Sequence, residues 1–275
     1  RAVALSVAST GLSAGGIIIT PFVKRFIDED GLAATTPWLG LLFVIGVVPI
    51  TWFLVKPDPI AAGWSPDGAR RTVGQAIDAL PGMPFEEAVQ TRFYKAITIG
   101  YVLALGSQVG GIQQLVKLVE GRTDPSTARF ALTALAATSV IARLIGGRAA
   151  QVIEMAKLTV VLAAVQCVAL VALAFATSTP LIFVSIILFG LTIGNLLMLQ
   201  PLLLAERFGV ADYPKIYSRS QFIAIVGVAG GPLLLGWLYD VSGSYRLPYS
   251  VAGALCMVGV LVLAAAGPAT VAADE

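Results

Sequence analysis

Uncharged apolar runs of about 20 residues, each closed by charges or by Pro, recur along the whole chain. Ala2 to Val23 stops at Lys24-Arg25, and Leu32 to Val55 stops at Lys56-Pro57-Asp58-Pro59. Pro removes a backbone donor and disfavours helix in the residue before it, so the second stop is firm. Ala96 to Val116 is a third run, and Phe130 to Gly147 is a fourth, interrupted only at Arg143. Leu158 to Ala205 holds about 48 residues without a charge, enough for two crossings. Thr177-Ser178-Thr179-Pro180 supplies turn chemistry near its middle. Ser220 to Tyr239 and Leu247 to Ala266 complete the set. A hydrocarbon core about 30 Å thick needs about 20 apolar residues per crossing. The pattern therefore predicts an all-α integral membrane bundle with about eight transmembrane helices present.

Composition supports lipid as the main solvent. The chain is 57% hydrophobic and 12% charged, where soluble domains carry roughly a quarter charged residues. A formal charge of +2, with the cations spread between apolar runs, predicts no nucleic-acid partner. The absence of His removes Cys-His nucleophiles, imidazole acid/base catalysis and His-containing metal sites. Cys167 and Cys256 lie inside apolar runs, which argues against a disulfide framework. No nucleophile, metal set or acid/base pair converges on a plausible site, so neither an enzyme nor a cofactor is expected.

Residues 57 to 92 concentrate Pro and charge and form the one long polar connection, the natural boundary between lobes. Within it, Pro84-Phe85-Glu86-Glu87-Ala88-Val89-Gln90 places Pro and acids where a helix N-terminus prefers them, predicting a short surface helix. Assigning loops alternately to the two faces puts about eleven Lys and Arg on one side and about six on the other. Both chain ends and the long connection are then expected on the cytoplasmic side of the cell inner (plasma) membrane. The chain opens on Arg1 without the layout of a signal peptide, and reads as a cut end.

Two glycine-rich segments look equivalent. Gly11-Leu12-Ser13-Ala14-Gly15-Gly16 precedes an apolar stretch and Phe26-Ile27-Asp28-Glu29-Asp30-Gly31, while Gly227-Val228-Ala229-Gly230-Gly231 precedes one and Leu238-Tyr239-Asp240-Val241-Ser242-Gly243. Six helices separate equivalents in a carrier built from two six-helix halves. Together with Arg1-Ala2-Val3-Ala4, Glu206-Arg207-Phe208-Gly209, Gly231-Pro232, Gly236-Trp237 and Gly243-Ser244-Tyr245-Arg246, these segments resemble the major facilitator superfamily. The branch they resemble is that of the monocarboxylate transporters and oxalate/formate antiporters. The resemblance implies helices five to twelve, with the first four missing. Residues 1–56 would be the last two helices of the N-terminal lobe, 57–92 the inter-lobe loop and 93–275 the C-terminal six-helix lobe. Arg143-Leu144-Ile145-Gly146-Gly147-Arg148 matches the first half of the superfamily's loop signature, but Gln151 stands where the usual Asp would be.

Arg143 is the most informative single residue. A guanidinium inside a span is costly and by default marks a functional path, and its planar fork fits a carboxylate. The resemblance implies the same role, since Ile141-Ala142-Arg143 falls on the helix whose Arg is implicated in carboxylate binding in monocarboxylate transporters. The family's acid one turn earlier is Ser139 here. The other reading is structural: Arg143 stands about 7 Å of helical rise from Arg148 and could snorkel to the interface. Gln108, Gln113 and Gln114 in the third run, Asn195 and Gln200 in the sixth and Gln221 in the seventh carry groups that lipid cannot satisfy, and should face inward. Of these, Gln108, Gln113, Asn195 and Gln221 join Arg143 and Ser139 as candidate substrate-binding residues. Interhelical hydrogen bonding is the plain alternative for each.

The expected function is alternating-access transport of a small organic anion, a mono- or dicarboxylate. No Asp or Glu lies well inside any run, which favours exchange or facilitated diffusion over proton symport. An exporter of drugs or neutral metabolites would share the same helices, and a sensor or scaffold on this fold would bind without moving its ligand. The expected partners are the substrate anion, the lipid bilayer and the missing N-terminal helices of the same protein.

Overall fold

The computed structural model describes residues 82–269 without a break, residues 29–54, and positions 11, 15, 19, 22, 23 and 25–27. The expected first span, Ala2 to Val23, and residues 55–81 of the polar connection lie largely or wholly outside the described residues. Eight helices are described in full: α1 (Leu32–Leu54), α2 (Phe85–Ala88), α3 (Arg92–Glu120), α4 (Pro125–Val152), α5 (Met155–Phe175), α6 (Thr179–Phe208), α7 (Tyr213–Ser242) and α8 (Arg246–Ala264). All but α2 contain a stretch long and apolar enough to cross a membrane, making seven candidate spans among the described residues. The one non-helical pairing described is an isolated bridge between Gly82 and Gly209.

Helices α3 and α7 run past the apolar stretches that predict them, and α6 ends close to its own. With 29 residues in α3 and 30 in each of α6 and α7, these helices are about 45 Å long at 1.5 Å per residue. Their ends project beyond a 30 Å hydrocarbon layer into the interfaces. The stops are local chemistry. Pro180 and Pro214 sit in the first turns of α6 and α7, where a missing N–H is harmless. The Thr91 hydroxyl accepts the Tyr94 N–H at 3.1 Å and caps α3. Gly243 closes α7 in the left-handed region at φ +63°. Arg122 donates to the carbonyls of Leu173 (2.6 Å), Ala174 (2.9 Å) and Ala176 (2.8 Å), placing a cation on the orphan groups at the C-terminus of α5.

Among the described residues, those from 15 to 54 belong to one compact unit and those from 82 to 269 to another. In the smaller unit, α1 exposes Trp38, Phe43, Trp52 and Phe53, an apolar surface suited to lipid or to other helices. Its hydroxyls turn back on their own helix: Thr35 to the Gly31 carbonyl at 2.8 Å and Thr51 to Val47 at 2.8 Å. Ser107, Thr159 and Ser185, buried between helices, do the same in the larger unit.

In the larger unit α3 packs chiefly on α7 and α8, α5 on α6 and α8, and α4 on α6. The α3–α7 crossing is a meeting of backbones. A methyl at Gly106 would stand 3.0 Å from the Gly227 carbonyl oxygen, and one at Gly110 would stand 3.0 Å from that of Gly231. Added methyls at Gly227 and Gly231 would collide with the carbonyls of Val102 and Gly106. This is small-residue packing of the kind that brings membrane helices close. It is the physical role of Gly227 and Gly231, which open and close the second copy of the repeated motif.

The expected surface helix before α3 is a single turn, and it is docked. Met83 N–H donates to the Phe208 carbonyl at 2.8 Å, Phe85 N–H donates to Asp212 Oδ2 at 3.0 Å, and Arg219 stacks over the Phe85 ring at 5.6 Å. The short helix is thereby tied to the α6–α7 connection.

Candidate functional site

Arg143 is 1% exposed and is the largest fully buried side chain among the described residues. It lies on the buried face of α4 with Ser139, Ala142, Gly146 and Ala150. This face meets α6, and the two helices interlock reciprocally. Gly194 has no side chain, and the Cγ and Nε of Arg143 occupy the space that a methyl there would need. Gly146, three residues beyond Arg143, gives up the equivalent space to the Asn195 amide. A third notch is cut at Gly190, where a methyl would stand 2.9 Å from Thr138 Cβ and 3.0 Å from the Leu135 carbonyl oxygen. Numbers rise together along both helices, so α4 and α6 run parallel.

Asn195 is 4% exposed. Its Nδ2 donates to the Ala142 carbonyl at 3.0 Å and to the Leu191 carbonyl at 2.9 Å. Its Oδ1 and the Ser139 hydroxyl are buried with no hydrogen-bond partner among the described residues. The α4–α6 seam thus gathers three of the six sequence-derived candidates: Ser139, Arg143 and Asn195.

The other three lie elsewhere. Gln108 is buried, and its Nε2 donates to Gln166 Oε1 at 2.6 Å. Gln166 donates in turn to the Ala104 carbonyl at 2.9 Å and approaches Cys256 Sγ at 3.3 Å, while Thr192 reaches Gln166 Oε1 at 3.4 Å. That network ties α3, α5, α6 and α8 together and uses the Gln108 donor inside the unit. Gln113 is on the exposed face of α3, and Gln221 is half-buried on α7. Among the remaining glutamines, Gln114 accepts from the Tyr245 hydroxyl at 3.4 Å, and Gln200 donates to Ser220 Oγ at 3.2 Å. Ser220 also shares a 3.0 Å hydrogen bond with Thr98 across α3 and α7. Gln166 carries the same signal as the glutamines singled out, an amide inside an uncharged run, whereas Thr98 and Ser220 carry no distinguishing sequence signal.

The smaller unit has a cavity of about 700 Å³ lined by Phe26, Asp30, Thr35, Trp38, Leu42 and Ile45 among others. None of the six candidates lies on it.

The family model of the Major Facilitator Superfamily matches residues 93–274. The chain belongs to the Major Facilitator Superfamily. It is a multi-pass membrane protein, and the matched region takes in α4, α6 and the whole seam around Arg143. Two curated relatives of this facilitator chain are the MFS transporter asaE of Aspergillus flavus and monocarboxylate transporter 13 of Rattus norvegicus. The first is 24% identical over 267 residues, covering 94% of this chain and 56% of the relative. The second is 22% identical over 278 residues, covering 96% of this chain and 59% of the relative. The chain thus spans a little over half the length of either. Among solved structures, the fold is similar to the fucose:proton symporter FucP of E. coli, with a TM-score of 0.68 at 14% identity over 97% of this chain and 69% of that one. A second structure of FucP, in the outward conformation, matches with a TM-score of 0.68, covering 97% of this chain and 68% of that one.

Proposed function

We propose that this facilitator protein moves a small organic anion, a mono- or dicarboxylate, across the cell inner membrane by alternating access, with Arg143 as the counter-charge. The observation that carries the reading is the burial of Arg143 within its helix bundle. A snorkelling Arg would show its guanidinium at the interface, whereas this one is 1% exposed against Gly194. A guanidinium held among apolar helices attracts an anion more strongly than one in water, and its fork matches a carboxylate. Ser139 Oγ adds unused hydrogen-bonding capacity on the same seam. The rat relative named as a monocarboxylate transporter agrees with this chemistry.

In this reading residues 93–275 are the C-terminal lobe, residues 1–56 belong to the N-terminal lobe, and both ends face the cytoplasm. Binding without catalysis is all that the site must do, so the protein is a carrier rather than an enzyme. Exchange is favoured over proton symport because the spans hold no Asp or Glu well inside them.

Counterflow of the full-length protein in proteoliposomes tests the substrate class. Labelled acetate, L-lactate, oxalate and succinate are compared with a neutral sugar. Accumulation of at least one carboxylate, inhibited by the others and indifferent to the sugar, is expected. Transport of the sugar alone would favour a carrier of neutral metabolites, and binding without counterflow would favour a sensor.

A further inference from the structure

We infer that Asn195 is a positioning residue for Arg143, fixing the heading of the guanidinium from the neighbouring helix. The inference rests on the reading of Arg143 as the anion-binding group, and it gives the α6 amide a task other than touching substrate. Both Nδ2 protons of Asn195 are spent on backbone carbonyls. One goes to Leu191 on its own helix, and the other crosses to Ala142, the residue immediately before Arg143.

In a helix the Ala142 carbonyl is the acceptor for the N–H four residues on, at Gly146. Gly146 is also the residue whose missing side chain makes room for the Asn195 amide. Asn195 therefore sits astride one helical turn of α4, the turn that carries Arg143. The residue before it on α6, Gly194, provides the surface against which the Arg143 Cγ and Nε lie. Tether and seat are consecutive residues, so a shift of α6 relative to α4 moves both at once.

This arrangement answers a requirement of the chemistry. Two parallel hydrogen bonds to a carboxylate need a planar fork held at one heading, and a free Arg side chain has several rotatable bonds to lose. Helix-borne seats and tethers hold such geometry better than loops do. A buried amide that uses both donors on the backbone and leaves its acceptor unused carries a cost, which a need for its geometry would explain.

The test compares Asn195→Leu and Gly146→Ala with the parent in the full-length protein, reconstituted in proteoliposomes with labelled acetate, L-lactate and succinate. Asn195→Leu removes the tether with little change of volume; Gly146→Ala leaves Asn195 and Arg143 intact but lifts the amide from its place. Loss of one buried hydrogen bond corresponds to about a tenfold change in affinity. Each variant is expected to raise KM about tenfold, by the same factor for all three carboxylates, with the maximal rate per reconstituted molecule kept. The carboxylate-induced rise in unfolding temperature of the purified variants should shrink in parallel, giving a readout where transport is too slow to measure.

An unchanged KM in Asn195→Leu overturns the inference. So does a change confined to the hydroxylated substrate, which would make Asn195 a direct ligand. A fall in basal unfolding temperature with carboxylate affinity intact would reduce Asn195 to ordinary helix packing. Arg143→Gln, run alongside, separates the two levels. If it transports carboxylates normally, the anion-site reading itself fails; if it is inactive while Asn195→Leu is normal, only the positioning role fails.

Discussion

Arg143 and Gly194 share one volume: the Cγ and Nε of the arginine fill the space that a β-carbon on the glycine would take. A buried cation in a membrane span thus depends on the absence of a side chain in the next helix but one. Gly194→Ala should force either α4 and α6 apart or the guanidinium out of place, at a cost of about 1–3 kcal/mol for overpacking. Uptake kinetics of the reconstituted full-length variant should show a raised KM for carboxylates. An unchanged KM would mean that the side chain has room that the packing does not suggest.

The glycines of α7 differ sharply over one residue. A methyl at Gly231 meets the Gly106 carbonyl, while one at Gly230 meets nothing within 4 Å. Gly231→Ala should therefore destabilise the protein by about 1–3 kcal/mol. Gly230→Ala should be neutral or slightly stabilising, because Ala is the better helix former by up to about 1 kcal/mol. Thermal unfolding in detergent checks the pair, and equal effects would contradict the close α3–α7 crossing.

Much of this was legible in the residues before the fold was known, and the limit was set by what a linear pattern can encode. Apolar length marks a span, so α1 and α3 to α8 are anticipated. Charges mark where a run ends but not where a helix ends, which is why α3 and α7 extend past the runs that predict them. Arg143 stands out because a charge inside an apolar run is rare. The partners of Arg143 do not stand out, because Gly146 and Gly194 act by having no side chain. Glutamine marks a need for hydrogen bonds without saying where they go. Gln108 meets Gln166 inside the unit, whereas Gln113, five residues on, is exposed. Arg122 looks like a loop cation and proves to be a helix cap, because its partners lie more than fifty residues away.

The docking of the turn before α3 should depend on pH. The Phe85 N–H, donated to Asp212, and the Lys215 ammonium hold its carboxyl below the ordinary carboxylate value of 3.8. A carboxyl depressed on folding contributes its stabilisation above its unfolded-state pKa and loses it as pH falls through the folded value. Amide hydrogen exchange over residues 83–88 should thus be slow near neutral pH and, after correction for the intrinsic rate, lose protection in acid below about pH 4. Asp212→Asn, which keeps a weaker acceptor, should show reduced protection at neutral pH and no acid step. An acid step that survives in Asp212→Asn would place the titrating group elsewhere.

Arg143 as the anion's counter-charge is the claim on which the rest turns, and one measurement reaches it most directly. Uptake of labelled carboxylates by the full-length protein in proteoliposomes is compared for the parent, Arg143→Lys and Arg143→Gln, with the reconstituted amount of each measured. Arg143→Gln should insert normally and lose carboxylate uptake, and Arg143→Lys should keep a fraction of it at raised KM, because a point charge replaces the fork. Full carboxylate transport by Arg143→Gln would contradict the account.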